Sequence, residues 1–340
     1  MRNAISADNR AISRWLIACA AMVFLIVVVG GITRLTRSGL SIVEWKPIAG
    51  TLPPIGEAEW NAEFAKYRET PEYKLVNKGM QLAEFKNIFW WEYIHRVIAR
   101  LIGVVFLFPF LYFLIRRKIH GRLGIKLAFI FLLGGLQGFV GWYMVKSGLV
   151  KDPHVSHLRL MTHLMLAVLL YTLLLSTAWQ LRLGARNDQK NKGGWITVIA
   201  AFILLASGAL VAGLKAGKMY NTFPLMNGAY FPPGVEWLSP SWTNLYENPA
   251  IVQFLHRNLA YLFGMIVIVQ VYQRRSEIAA AGIRHPLSLL VIVYALQVLL
   301  GVLTLLNAVP VSLGAIHQAN ALLLYSAALY AFTRDRYLAA

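Results

Sequence analysis

The sequence predicts an all-α integral membrane protein in which eight transmembrane helices form two four-helix bundles related by a parallel internal repeat. Three observations lead to this prediction: apolar runs of membrane-spanning length, few charged residues, and motifs that occur once in each half of the chain. Charged residues make up 14% of the 340 residues, whereas ordinary soluble domains contain about 25%. The composition therefore indicates a polytopic membrane protein.

Eight stretches approach the roughly 20 apolar residues that are needed to cross a bilayer. Two of the connecting loops are long, at 34–90 and 215–250, and the first contains WKPIAGTLPP, which predicts turns and extended chain. The other loops are short. The predicted spans lie near 15–33, 91–115, 125–145, 160–180, 195–214, 251–272, 287–307 and 313–332.

Lysine and arginine predict the orientation of these spans. They are concentrated at both termini and in the loops 116–126, 182–192 and 274–284, all of which lie on the same side of the membrane. Because short basic loops stay in the cytoplasm, both termini are predicted to be cytoplasmic. The net charge of +18 then reflects residues that flank spans, and no nucleic-acid partner is expected.

The two halves of the chain repeat each other. EYIHRVIARLIG, which starts at Glu92, resembles QFLHRNLAYLFG, which starts at Gln253, and LQGFVG (136–141) resembles LQVLLG (296–301). Four spans per repeat is an even number, so both halves have the same orientation and form a parallel repeat. The predicted domains are residues 1–181 and residues 182–340.

Four of the eight histidines lie in the outer part of an even-numbered predicted span, two in each repeat. A polar side chain within a membrane is costly and indicates function, although a single histidine more often makes an interhelical hydrogen bond. His154 and His157 lie in an outer loop, and their role stays open. The four candidate residues are His95, His163, His256 and His317.

Small residues follow each of these histidines at four-residue spacing, which keeps them on one helix face. One helix of each half reads H-x3-A-x3-G and the other reads H-x3-A-x3-Y. Such a strip fits either a close helix contact or a planar macrocycle held edge-on, and imidazole is an axial ligand of haem iron. Zinc or copper would require further ligands nearby. The pattern therefore predicts one bis-histidine haem site per half.

Glu92 is the only acidic residue within the predicted spans, and it lies three residues before His95. The equivalent position in the second half is the neutral Gln253. A carboxylate can accept a proton or stabilise a developing positive charge, which an amide cannot do. The alternative is a structural i,i+4 ion pair between Glu92 and Arg96. The two predicted haem sites therefore differ in chemical capacity.

The first-loop sequence GGITRLTRSGLSIVEWKPIAGTLPP, together with EYIHRVIARLIG, YNTFPLMNG and FLHRNLA, resembles the haem A synthase family, most closely its α-proteobacterial and mitochondrial branch. The resemblance extends over nearly the whole chain. It implies an oxidoreductase of the bacterial inner (plasma) membrane that oxidises the C8 methyl of haem O to a formyl group by successive hydroxylations. The product would be haem A for terminal oxidases.

The resemblance also implies roles for individual residues. His95 and His163 would be the axial ligands of the substrate haem, and His256 and His317 those of a haem B cofactor, while Glu92 would be catalytic. Haem O synthase, terminal-oxidase assembly factors and an unidentified electron donor are the expected partners. The glycine-rich third span could pack within or between chains, so a homo-oligomer stays an open alternative.

Two other functions would use the same histidines. A di-haem membrane electron-transfer cytochrome, or a haem carrier without catalysis, would account for the histidine pairs and the small-residue strips. Neither accounts for the difference between Glu92 and Gln253, nor for the first-loop motif.

Overall fold

The structure, a computed structural model, describes residues 6–45, 49–150, 153–183 and 193–337 of the chain. Within these residues the regular structure is helical, apart from one isolated bridge between Met226 and Ala229. Short 3₁₀ turns lie at Ala49–Thr51, Ala216–Lys218, Ser241–Thr243 and Gly282–Arg284. The α-helices are α1 (Ala7–Leu35), α2 (Glu57–Arg68), α3 (Pro71–Leu75), α4 (Leu82–Ile115), α5 (Gly121–Gly148), α6 (His157–Leu183), α7 (Gly194–Gly213), α8 (Asn244–Glu247), α9 (Pro249–Gln273), α10 (Arg275–Ala281), α11 (Pro286–Leu306) and α12 (Val311–Tyr337).

Among the described residues, seven helices are long and apolar enough to cross a membrane, namely α1, α4, α5, α6, α7, α9 and α11. They match the first seven predicted spans. The eighth predicted span falls in α12, whose 27 residues are sufficient in length. Polar side chains in its first half, including His317, Gln318 and Asn320, lower its hydropathy. The eight-span, two-bundle architecture therefore stays a prediction.

The first long loop contains more helix than the sequence indicated, because α4 begins nine residues before the predicted span. The Glu84 carboxylate accepts a hydrogen bond from the Gln81 N–H (2.9 Å) at this start. An aromatic cluster that includes Trp60 and Tyr67 of α2 packs against the first turns of α4, which precede the predicted span. Within WKPIAGTLPP the structure shows one 3₁₀ turn, and residues 46–48 lie outside the described residues.

Helix capping positions the later helices. Asn248 Oδ1 accepts a hydrogen bond from the Ala250 N–H (3.1 Å), and Pro249 occupies the first position of α9, where a missing N–H costs nothing. At the start of α11, His285 Nδ1 accepts a hydrogen bond from the Leu287 N–H (3.2 Å). The cap on α9 places His256 two turns inside that helix.

The chain divides into two compact units. The N-terminal unit comprises Ala18–Leu170, and the C-terminal unit comprises Met1–Ile17 together with Tyr171–Ala340. The boundaries fall inside α1 and α6. Each unit contains one of the predicted histidine pairs. The division into residues 1–181 and 182–340, which was inferred from the repeat, stays a prediction.

Candidate functional site

In the N-terminal unit, His95 of α4 lies directly against α1. A Cβ added at Gly30 would lie 3.1 Å from His95 Nε2, which is tighter than ordinary contact. The same two helices are joined nearby, because Thr33 Oγ1 donates hydrogen bonds to the carbonyls of Val29 (2.8 Å) and Trp91 (3.3 Å). Glycine at position 30 therefore allows the imidazole to approach the backbone of α1.

His163 of α6 lies against α5 in the same way. A Cβ at Gly141 would lie 2.9 Å from His163 Cε1, a distance that would force one of the two groups to move. Gln137, one turn away on α5, donates a hydrogen bond from Nε2 to the His163 carbonyl (3.0 Å). His163 Nδ1 is buried and has no hydrogen-bond partner among the described residues. His95 and His163 lie close enough for a charge on one to affect the other.

In the C-terminal unit, His256 of α9 packs on α7. A Cβ at Gly208 would lie 3.3 Å from His256 Cε1. Ser207 Oγ lies 2.8 Å from His256 Nδ1 and donates to the Leu204 carbonyl (2.8 Å). Because the Ser207 hydroxyl donates to Leu204, the tautomer that fits this contact has its proton on Nδ1, and Nε2 is then unprotonated.

His317 of α12 packs on α11 and interacts with a polar network. A Cβ at Gly301 would lie 3.0 Å from His317 Cε1. Gln297 Nε2 lies 3.2 Å from His317 Nδ1 and 3.3 Å from Nε2, and Gln297 Oε1 accepts a hydrogen bond from Asn320 Nδ2 (2.8 Å). His317 and His256 also lie close enough to interact electrostatically.

The two histidine pairs share features that suit haem ligation. Each of the four imidazoles lies against a glycine of a neighbouring helix, and each stays partly exposed although it belongs to a long apolar helix. Among the described residues, no three His, Cys, Asp or Glu side chains are grouped to hold a metal ion. Paired imidazoles with small residues beside them therefore fit a planar macrocycle better than a bare metal ion. His157 is the first residue of α6 and, like His154, lies outside these pairs.

Glu92 is buried, with 3% of its surface exposed, and both of its carboxylate oxygens accept hydrogen bonds. Oε2 accepts from Ser41 Oγ (2.7 Å) and from the Ile42 N–H (2.8 Å). Oε1 accepts from Arg96 Nη2 (2.7 Å) and Nε (3.1 Å). The i,i+4 ion pair considered from the sequence is therefore present, and the carboxylate also holds the segment that follows α1 against α4.

Arg96 extends the same anchor. It donates hydrogen bonds from Nη2 to the Ile42 carbonyl (2.8 Å) and from Nη1 to the Glu44 carbonyl (3.0 Å). Outside the spanning helices, hydrogen bonds from Lys66 to Glu44 and Glu63 raise the pKa of Lys66. These contacts join the segment that follows α1 both to α4 and to α2.

Gln253 and Arg257 make a similar anchor in the C-terminal unit, in which an amide replaces the Glu92 carboxylate. Gln253 Nε2 and Arg257 Nη2 both donate hydrogen bonds to the Tyr220 carbonyl (3.1 and 2.8 Å), and Arg257 Nη1 donates to the Thr222 carbonyl (3.0 Å). Gln253 Oε1 is buried and has no hydrogen-bond partner among the described residues. An amide is therefore compatible with loop anchoring at this position.

Sequence reasoning did not identify the groups that support these side chains. The aligned motifs LQGFVG and LQVLLG contained the signal for Gly141 and Gly301, since each motif ends in the glycine that contacts a histidine. Nothing in the local sequence indicated that Ser41 would contact Glu92 or that Ser207 would contact His256.

The chain is similar to known proteins over most of its length. The cytochrome oxidase assembly protein family matches residues 13–329. Proteins named Heme A synthase are similar over most of their length. That of Nitrosospira multiformis is 48% identical over 331 residues, covering 95% of this chain and 93% of the relative. That of Rhodospirillum centenum is 46% identical over 324 residues, covering 94% and 87%. That of Wolbachia pipientis wMel is 43% identical over 329 residues, covering 95% and 92%.

Proposed function

The chain belongs to the cytochrome oxidase assembly protein family, and on this premise we propose that it is a haem A synthase. It oxidises the C8 methyl of haem O to a formyl group by two successive hydroxylations, followed by loss of water from the gem-diol. The observation that best supports this function is the presence of one glycine-backed histidine pair in each unit, with a carboxylate beside only one of them.

The proposal assigns different tasks to the two pairs. His95 and His163 hold the substrate haem O, because Glu92 lies three residues before His95 on α4. His256 and His317 hold haem B, which when bound supplies a one-electron redox centre. Ser207 fixes the His256 ring through Nδ1, and Gln297 fixes the His317 ring. These contacts orient both imidazoles before the cofactor binds.

Glu92 is the catalytic residue of this proposal. Its carboxylate is held by Ser41, Ile42 and Arg96, so that its negative charge at the rim of the substrate site is shared with the Arg96 guanidinium. This charge stabilises a cationic intermediate at the oxidised carbon, or the carboxylate accepts a proton from it. Gln253 keeps the architecture of the anchor without the charge, so the C-terminal site holds haem but does not oxidise it.

Outer basic residues are proposed partners for the haem propionates. Arg37 and Lys215 each follow the end of a helix by two residues, after α1 and α7, and both adopt a left-handed backbone (φ 54° and 55°). Strained backbone of this kind is often retained at functional sites. The other candidates, on sequence position alone, are Arg34, Lys78, Lys86 and Lys218.

The proposed setting is the bacterial inner membrane, with both termini in the cytoplasm and the haem sites near the outer face. Haem O synthase would deliver the substrate, assembly factors of terminal oxidases would receive haem A, and a separate donor would supply electrons. The chain itself would work as a monomer or a homo-oligomer.

Extraction of haems from the purified full-length protein tests this function. The chain is co-expressed aerobically with a haem O synthase in a host that makes no haem A, and the extracted haems are separated by chromatography. We expect haem A from the wild type, and haem O without haem A from Glu92→Gln. All four hydrogen bonds to Glu92 come from donors, so the amide nitrogen of the variant would face a donor. The yield and the haem B content of Glu92→Gln are therefore measured alongside, to establish that the variant folds.

Glu84→Gln is the matched control, because it removes an exposed carboxylate from the same helix and should still produce haem A. Recovery of haems B and O alone from the wild type, with reductant available, would support the electron-transfer cytochrome or the carrier instead. Normal haem A production by Glu92→Gln would retain the enzyme but remove Glu92 from the catalytic role.

A further inference from the structure

The two units differ at a pair of equivalent positions deeper in the membrane than the histidines. In the C-terminal unit, Tyr294 of α11 packs on α9, where its hydroxyl donates a hydrogen bond to the Ala260 carbonyl (3.0 Å) and its ring contacts Phe263 (5.5 Å between centroids). A Cβ added at Gly264 would clash with the Tyr294 hydroxyl. The tyrosine therefore fills the space between these two helices.

In the N-terminal unit the equivalent position has no aromatic side chain, because it is a glycine. Alignment of LQGFVG with LQVLLG makes Gly134 the counterpart of Tyr294, and Gly103 is the counterpart of Gly264. A Cβ added at Gly103 or at Gly134 would meet no atom within 4 Å. One turn further into the membrane, Phe106 of α4 stacks on Phe131 of α5 (5.9 Å between centroids). Gly134 is exposed and Gly103 is partly exposed, so the position that Tyr294 fills in the C-terminal unit is here an open gap, with this aromatic pair at its inner end.

This gap lies on the same side of the helices as the histidine site. Gly134 precedes Gly141 by seven residues, which is close to two full turns, and Gly141 contacts His163. Gly103 follows His95 by eight residues, which corresponds to about 12 Å along α4. That depth lies beyond the ring of a macrocycle ligated by His95, at the edge that points away from the outer surface.

A polar difference accompanies the steric one. Gln137 lies one turn from Gly134, and its Oε1 is buried without a hydrogen-bond partner among the described residues. In the C-terminal unit the equivalent atom, Gln297 Oε1, already accepts a hydrogen bond from Asn320 (2.8 Å). The N-terminal unit thus offers a free acceptor beside an open gap, and the C-terminal unit offers neither.

Haem O differs from haem B at one edge, where a hydroxyethylfarnesyl group, with its hydroxyl on the carbon bonded to the ring, takes the place of a vinyl group. This edge lies opposite the propionates. We infer that the gap between Gly103 and Gly134 receives the farnesyl chain of haem O, and that Gln137 Oε1 accepts a hydrogen bond from its hydroxyl. Tyr294 and Asn320 exclude the same substituent from the C-terminal site, which is therefore selective for haem B. This inference rests on the assignment of the two haem sites under the proposed function.

Closing the gap tests the first half of the inference. The full-length chain is co-expressed with a haem O synthase, and the haems bound per purified chain are measured. Gly134→Tyr should lower the sum of haem O and haem A about ten-fold or more, because overpacking disfavours the bound substrate, while haem B is retained. Gly135→Tyr is the matched control, because Gly135 is exposed like Gly134 but lies about 100° further around α5. Equal haem O and haem A in the two variants would overturn the inference.

Enlarging the C-terminal site tests whether Tyr294 and Asn320 exclude haem O. This experiment also tests the inference if Gly134→Tyr does not fold. In a His95→Ala/His163→Ala background both proposed ligands of the substrate haem are removed, so haem O that co-purifies is assigned to the C-terminal site. This background should bind haem B and almost no haem O. Adding Tyr294→Gly and Asn320→Leu should admit haem O in amounts comparable to haem B, whereas Tyr294→Phe should not. Haem O in the background itself, or its absence after both changes while haem B stays bound, would overturn the inference.

These results are separate from the test of the proposed function. A wild-type chain that binds haem O and makes no haem A would refute the synthase activity, and the retained haem O would still report on the gap. A wild-type chain that makes haem A while Gly134→Tyr behaves as Gly135→Tyr would refute only the role of the gap.

Discussion

Substitution of the glycines behind the histidines should remove the two haems independently. In Gly141→Ala the new Cβ would lie 2.9 Å from His163 Cε1, whereas ordinary contacts begin at 3.4 Å, so the ring or the helix must retreat by about 0.5 Å. Functional side chains generally have to be placed to within about 0.5 Å, so this displacement is large enough to disturb ligation by His163. Overpacking costs about 1–3 kcal/mol. If this cost destabilises the haem-bound state and not the haem-free state, substrate haem binding weakens about 5- to 150-fold.

Gly301→Ala is the corresponding change in the C-terminal unit, with a Cβ at 3.0 Å from His317 Cε1. The assay is the haem content per chain of the purified full-length protein after co-expression with a haem O synthase. We expect Gly141→Ala to lose haem O and haem A but keep haem B, and Gly301→Ala to lose haem B but keep haem O. Gly135→Ala is the control, because its Cβ would meet no atom within 4 Å.

Two results would refute this reasoning. Normal haem content in both variants would mean that the glycines do not set the positions of the imidazoles. Equal loss of both haems from each variant would mean that the substitutions act on folding rather than on a local site.

The remaining predictions concern the hydrogen bonds that support the site. Ser207→Ala removes the 2.8 Å contact to His256 Nδ1 and makes the imidazole a weaker electron donor to the haem iron. The midpoint potential of the bound haem B should therefore rise in a redox titration, and an unchanged potential would contradict this prediction. Ser41→Ala removes the 2.7 Å hydrogen bond to Glu92 Oε2, so the backbone amides of residues 41–45 should exchange hydrogen faster. Exchange as slow as in the wild type would show that Ile42 and Arg96 hold the loop without Ser41.

Several features of the fold are properties of local sequence. Seven predicted spans coincide with helices that can cross a membrane, because span length and apolar composition do not depend on distant residues. The beginnings of α9 and α11 also follow local rules, since an N-cap side chain and a proline at the first position occur at both.

The candidate site was only partly accessible to this reasoning. The repeat identified the four histidines and the difference between Glu92 and Gln253. It did not show that Glu92 binds the segment after α1, because Ser41 and Ile42 are about 50 positions away in the chain. The helices between α1 and α4 were also missed, since α2 is stabilised by aromatic packing against the first turns of α4.

The sequence by itself determined the class of protein, the positions of most spans, the paired histidines and the family to which the chain is similar. Only the tertiary structure decided which glycine backs each imidazole, which unit contains an open gap, and which is filled by Tyr294. The physical reason is that periodicity and composition act along one helix, whereas a contact of 3 Å depends on how two helices approach each other. That approach is set by side chains distant in sequence, and it differs between the two repeats although their motifs align.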